Sequence, residues 1–342
     1  MTPRIPEKNK RPGVLYAFTN DGIELPVIDV TNPAFALDLA PGDIETLQQK
    51  FIAEQRRGED KPLFVRRLYV NFFLRKSVLW QGLRKAARRF LSGMNTYLMK
   101  VGPMNLGEGY TGFGDKQIAA SFPATALRLR LQDMARLIAD GISGWLAASP
   151  GAPLHLINIA GGHAADSLNA LILVRKANAQ LLTGRKIAVQ VLDLERDAPD
   201  FGLRALAALE SEGAPLHGLD ITFEFVPYNW AEPERLRPIL AGLGSGEKVV
   251  ALSTEGGLFE YGTDQEIISN LSVLKEMLPG KARVVGTVTR DDENNRRLHP
   301  FNQIPVRPRG LEAFGSLARR AGWTVEHSVE RAFSDSVSLA RA

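Results

Sequence analysis

The chain contains no cysteine. Disulfides, thiolate metal sites and cysteine nucleophiles are therefore excluded together. Its five histidines, His155, His163, His217, His299 and His327, show no ligand spacing such as His-x-x-x-His, so no metal is expected. No apolar run is long enough to span a membrane. Met1 to Pro12 is polar and proline-spotted, without the apolar core of a secretory signal. A soluble, cytoplasmic protein is the expectation.

What is present suffices for a large core: 342 residues, 44% of them hydrophobic. The net charge of +4 is unevenly spread. Lys61 to Lys100 holds ten Lys or Arg and no acid, while the remainder has 32 basic against 38 acidic residues, so basicity is local. Within that run Phe64, Val65, Leu68, Tyr69, Phe72 and Phe73, and then Val78, Leu79, Leu83, Ala86, Ala87, Phe90 and Leu91, recur at helical spacing. The aromatics sit at core positions, so the spacing reads as core-packing helices with solvated basic faces. A nucleic-acid face or a membrane-surface helix is the sharper alternative.

The chain is organised around Leu154-His155-Leu156-Ile157-Asn158-Ile159-Ala160-Gly161-Gly162-His163. The apolar run reads as a buried parallel strand. It breaks at Gly-Gly, and a helical pattern follows through Leu168, Leu171, Ile172 and Val174. Glycines let a ligand approach the backbone, and the next helix presents free N–H groups. Ile187 to Leu192 reads as the second strand, ending at Asp193, where a carboxylate can accept both hydroxyls of a ribose.

From there strands and helices alternate. Further strands are expected at 221–226, 249–252 and 284–288, with helices at 201–212, 234–243, 264–278 and 311–321. Trp323 to Val329 and Ser336 to Leu339 close the chain. Glu330 to Asp335 is too short for a parallel crossover, so the last strand must run antiparallel. Upstream, Asn20-Asp21-Gly22 suggests a small hairpin. Pro41-Gly42-Asp43 opens a helix with Asp43 as its N-cap, and 124–148 is a long helix. Gly107 to Gly114, with Tyr110 and Phe113, is a lid candidate.

Five strands alternating with helices and then a closing hairpin resemble the sheet of class I S-adenosylmethionine-dependent methyltransferases, over about residues 124–342. Asn158-Ile159-Ala160-Gly161-Gly162 is similar to the family's first motif, with Asn158 where an acid is usual and Ala160 in place of the first glycine. Val191-Leu192-Asp193-Leu194 is similar to the second, whose acid binds ribose. The resemblance implies an α/β fold. Its doubly wound, mostly parallel seven-stranded sheet has an antiparallel last strand and carries a mainly helical N-terminal cap. The domains would be 1–123 (cap and substrate region) and 124–342 (Rossmann-like). The cofactor implied is S-adenosyl-L-methionine, held by Asn158, Ala160, Gly161, Gly162, His163, Asp193, Leu194, Tyr228, Asn229, Ser253 and Thr254. Asn229 would meet the adenine edge, and Leu194 its face.

Methyl transfer from a sulfonium asks the protein mainly to position the acceptor, with a base where a proton must leave. Tyr110, Glu255 and His299 are the catalytic candidates, with Glu260 and Tyr261 nearby in sequence. The leading expectation is a methyltransferase acting on a small-molecule substrate. Nucleic acid and membrane partners are not expected, and a homodimer is left open. A second reading keeps the cofactor but breaks its methionine chain, by aminocarboxypropyl transfer or by cyclisation to azetidine-2-carboxylate with release of methylthioadenosine. A third is a non-catalytic nucleic-acid-binding module.

Overall fold

The computed structural model describes residues 5–62, 64, 76–86, 91–106, 112–298 and 305–342. Strands β1 (Tyr16–Phe18) and β2 (Glu24–Pro26) form the expected antiparallel hairpin. Helices α1 (Pro41–Glu59), α2 (Val78–Ala86), α3 (Gly93–Val101), α4 (Phe113–Ala119) and α5 (Phe122–Ala148) follow. The sheet region then runs β3 (Leu154–Ile159), α6 (Ala165–Ala177), β4 (Lys186–Asp193), α7 (Asp197–Leu209) and β5 (Asp220–Pro227). It continues with α8 (Leu236–Ala241), β6 (Val249–Thr254), α9 (Leu258–Tyr261), α10 (Asp264–Met277) and β7 (Ala282–Thr289). It ends with α11 (Glu293–Leu298), α12 (Gly310–Arg320), β8 (Trp323–Val329) and β9 (Ser334–Arg341).

The seven strands are ordered β5-β4-β3-β6-β7-β9-β8. Pairs among β3 to β7 are parallel, and β9 runs antiparallel to both β7 and β8. This is the strand order of the class I methyltransferase sheet, reversed strand included. Its order reverses between β4 and β6, beside β3, which is where doubly wound sheets bind ligands.

Alternation along the strands separates two cores. Leu154, Leu156, Val249, Ala251 and Val285 face the side covered by α3, α5, α6 and α7. Ile157, Ile159, Val250, Leu252 and Val284 face α8, α10 and α12. The N-terminal segments share the first core, through Leu25, Ile28, Leu79 and Tyr97. Helix α10 is set by a reciprocal cap: Thr263 Oγ1 accepts from Glu266 N (3.2 Å), and Glu266 Oε2 accepts from Thr263 N (2.7 Å). The end of α5 is held otherwise. Arg185, 3% exposed, donates to the carbonyls of Leu146, Ser149, Ala152 and Leu181.

Three local readings need correction. Asp43 is not the N-cap of α1: the helix begins at Pro41, and the Asp43 carboxylate accepts from Ala40 N at 3.2 Å from the third helical position. Proline has no N–H to cap and a φ already suited to the first turn, so the helix starts on it. Gly112-Phe113-Gly114 is no loop either. Gly112 precedes α4, and Phe113 and Gly114 are its first residues. Tyr110 and the rest of 107–111 lie outside the described residues. Lys100 belongs to no solvated face: it is 3% exposed and paired inside the molecule.

Candidate functional site

The turn after β3 is built from small residues because larger ones do not fit. A Cβ on Gly161 would fall 1.9 Å from Asn158 Oδ1. Gly162 has φ +59°, and a Cβ there would meet Ala198 and the Gly93 backbone at 3.1 Å. Ala160 and Ala164 also take left-handed backbones (φ 56° and 52°), a conformation costly for alanine and frequent where a site demands it. The turn is tied to the end of β4 by Ala160 N to Leu192 O (2.8 Å) and Gly162 N to Asp193 Oδ2 (3.2 Å).

Asp193 accepts a second backbone bond at Oδ1, from Glu195 N at 3.1 Å. Burial raises its carboxyl above the ordinary range, against the N–H groups of Glu195, Leu194 and Gly162. Two backbone bonds leave lone pairs for further donors. Beside it Leu194 is 56% exposed, an apolar surface at the mouth of the sheet. Asn229 turns its Oδ1 to Ala231 N (3.1 Å). Asp193, Leu194 and the glycine turn thus stand together. Tyr228 does not join them: its ring is buried in the second core and its hydroxyl donates to Asn270 on α10.

Below the turn lies a sealed polar layer. Asn158 Nδ2 donates to Asp166 Oδ1 (2.7 Å) and to Ser253 Oγ (3.0 Å). Thr254 Oγ1 accepts from Leu258 N (2.9 Å), capping α9. His163 Nδ1 accepts from Ala165 N (3.1 Å), and its ring meets Tyr97 edge-on at 4.7 Å. Burial, and then the charge of Lys100, holds His163 well below its ordinary pKa, so it is neutral.

Glu255 is enclosed by cations. Lys100 Nζ lies 2.8 Å from Oε1 and 2.9 Å from Oε2, and Arg130 Nε lies 3.1 Å from Oε1. Burial pushes this carboxyl up, but Lys100 and Arg130 overcome it and hold it below the usual range. Glu260 accepts from Arg130 Nη1 at 3.1 Å. Both carboxylates are thus engaged as acceptors of buried cations, Glu255 by Lys100 and Arg130 and Glu260 by Arg130. His299, with 299–304, lies outside the described residues. Sequence reasoning missed Lys100, Arg130 and Asp166. Asp166 alone left a signal, a lone acid in the first turn of the helix after Gly-Gly. Among the described residues no cluster of metal-ligating side chains occurs, and no helix is long and apolar enough to cross a membrane.

No protein-family model and no curated protein matches the chain. Among solved structures it is similar to OxaC in complex with sinefungin and meleagrin, at 17% identity and TM-score 0.38, over 58% of this chain and 45% of that one. It is similar to the mitomycin 7-O-methyltransferase MmcR, at 13% identity and TM-score 0.40, over 93% of this chain and 77% of that one. Human N-acetylserotonin methyltransferase in complex with SAM aligns at 16% identity and TM-score 0.38, over 80% and 69%. The chain spans less than half the length of OxaC. At these identities and TM-scores the fold assignment rests on the strand order and register above.

Proposed function

We propose that the protein is an S-adenosylmethionine-dependent methyltransferase acting on a small-molecule acceptor. One observation carries this reading: Asp193 bonds Gly162 across the mouths of β3 and β4, in a sheet of this strand order. The residues fit the cofactor. A turn of small residues after β3 lies beside a carboxylate with lone pairs to spare and an exposed apolar side chain. In this reading Asp193 accepts the ribose hydroxyls, and Leu194 packs on the adenine face. The Asn229 amide N–H donates to the adenine edge. The backbone of Ala160 to Gly162 lies along the methionine portion. When bound, S-adenosylmethionine supplies a methyl already activated on sulfonium. The chain's share of the reaction is alignment, exclusion of water and, for a hydroxyl acceptor, removal of one proton. Tyr110 and His299 remain the candidates on the acceptor side.

One observation favours the second reading. Asn158 stands where an acid is usual, and its amide is turned into the sealed layer, so the seat of the methionine end is rebuilt. Product analysis decides between the two. Purified protein, S-adenosylmethionine and a panel of hydroxylated acceptors should yield S-adenosylhomocysteine and a methylated acceptor. Methylthioadenosine, formed without any acceptor, would move the assignment to cyclisation of the methionine chain.

A further inference from the structure

The turn after β3 is strained. Ala160 and Ala164 both hold left-handed backbones (φ 56° and 52°). An alanine keeps that conformation only where its surroundings enforce it. Two helices grip the turn. On one side α7 approaches through Ala198 and Gly202: a Cβ on Gly202 would fall 2.6 Å from His163 O. On the other side stands α3, which belongs to the N-terminal region and not to the sheet.

Helix α3 meets the carboxyl ends of the sheet through Gly93, Tyr97 and Lys100. Their spacing of four and then three residues places them on one face of the helix. A Cβ on Gly93 would fall 3.2 Å from Gly162 Cα and 2.6 Å from Ala198 Cβ, so only glycine lets the helix touch the turn. Tyr97 sets its ring edge-on to His163 and to Phe201 of α7, with centroids 4.7 Å apart in both pairs. His163 is neutral, so this contact is packing and not charge. Lys100 Nζ lies 2.8 Å from Oε1 of Glu255, in the turn after β6. The Tyr97 hydroxyl anchors the helix on its far side, donating to Pro26 O (2.7 Å) and accepting from Ile28 N (3.1 Å). Tyr97 and Lys100 are 1% and 3% exposed, so the face is closed to water. Over its seven residues it spans about 10 Å, from the turn after β3 to the turn after β6.

We infer that α3 is a positioning element of the cofactor site. Through Gly93 and Tyr97 it holds the Ala160–Ala164 turn in its strained shape before a ligand arrives, and through Lys100 it fixes that turn against the one after β6. This rests on the cofactor reading above. A turn already in shape costs no ordering when the ligand binds. Gly93 and Tyr97 therefore act on affinity through the backbone of Gly161 and Gly162. The N-terminal region is then more than a cover for the acceptor: it sets how tightly the nucleoside is held.

Gly93→Ala tests the inference, with S-adenosylhomocysteine as the probe in calorimetry on the full chain. The added methyl pushes α3 off the turn, and affinity should fall about tenfold. Ala198→Gly in the same chain removes the atom that the methyl meets first, and should restore affinity to within about threefold of wild type. A contact that serves stability alone would lower the melting temperature and leave the affinity of the folded variant unchanged. That result, or a loss that Ala198→Gly does not restore, overturns the inference. Amide exchange on the ligand-free wild type needs no variant. The N–H groups of Ala160 and Gly162, bonded to Leu192 O and Asp193 Oδ2, should open together with those of Tyr97 to Val101. Opening of the turn more than about tenfold more frequent than that of α3 overturns the inference, including where Gly93→Ala does not fold. Failure of the wild-type chain to bind S-adenosylhomocysteine overturns the cofactor reading and the inference with it, whereas failure of the inference alone leaves wild-type binding intact.

Discussion

Asp193 at the end of β4 and the buried ion-pair layer beside β6 are built in opposite ways. The first is one carboxylate at a strand terminus, held by two backbone N–H groups. In the buried layer Lys100 of α3, Arg130 of α5 and Glu255 and Glu260 after β6 converge, and each of these four charges is paired with another. A site made by one residue keeps its geometry from the backbone and tolerates change around it. A site made by balance does not: without Glu255, Lys100 loses its ion pair, and without Arg130, Glu260 loses its own.

The largest expected effect breaks the balanced layer. Arg130→Met strands Glu260 and leaves Glu255 with Lys100 alone, and urea denaturation should show a loss of about 3–5 kcal/mol. A loss under about 1 kcal/mol would mean the layer is not held by its charges. Asp193 should respond in affinity alone. Asp193→Ala should weaken S-adenosylmethionine by about 1.5–3 kcal/mol in calorimetry, with the melting temperature nearly unchanged. Unaltered affinity in a folded variant would remove Asp193 from the site.

The third effect has the opposite sign. Burial, and then the charge of Glu255, pushes the folded-state pKa of Asp166 up to about 6, above the usual carboxylate value, so the folded chain keeps a proton that the unfolded chain releases. Its contribution to stability is full below about pH 4 and is lost as pH rises through about 6. Asp166→Asn should therefore match wild type near pH 4 and exceed it by about 2 kcal/mol at pH 8 in chemical denaturation. A variant less stable than wild type at both pH values would show that the Asp166 charge is compensated in the fold. The smallest effect concerns the turn after β3. Ala160→Gly relieves a left-handed alanine but adds chain entropy to the unfolded state, for a net gain of about 0.5 kcal/mol. A measurable loss would show that the Ala160 methyl makes a packing contact worth more than the strain.

The same contrast explains what could be read in advance. The strands were legible where burial on both faces writes a continuous apolar run such as Val249 to Leu252. The reversed last strand was legible from the shortness of its connection to β8. The glycine turn and Asp193 were legible because they are local to strand ends. Lys100 was not: its run of basic neighbours looks like a solvated face, and its partner lies 155 positions away. Tyr228 misled for a related reason. Its place after β5 is right for an adenine neighbour, but the residue's direction is decided by Asn270 on α10, which periodicity does not report.

Arg185 bears on how the molecule can be divided. Ser149-Pro150-Gly151-Ala152-Pro153 joins α5 to β3 with the composition of a linker. The acceptors of the Arg185 guanidinium span it: Leu146 before it, Ser149 and Ala152 within it, and Leu181 beyond it on the near side of β4. Severed between Ser149 and Ala152, one piece would keep a helix end without its cap, and the other a cation without half of its acceptors. The prolines and glycine mark a welded joint, and fragments made at this point should be recovered only when the two halves are produced together.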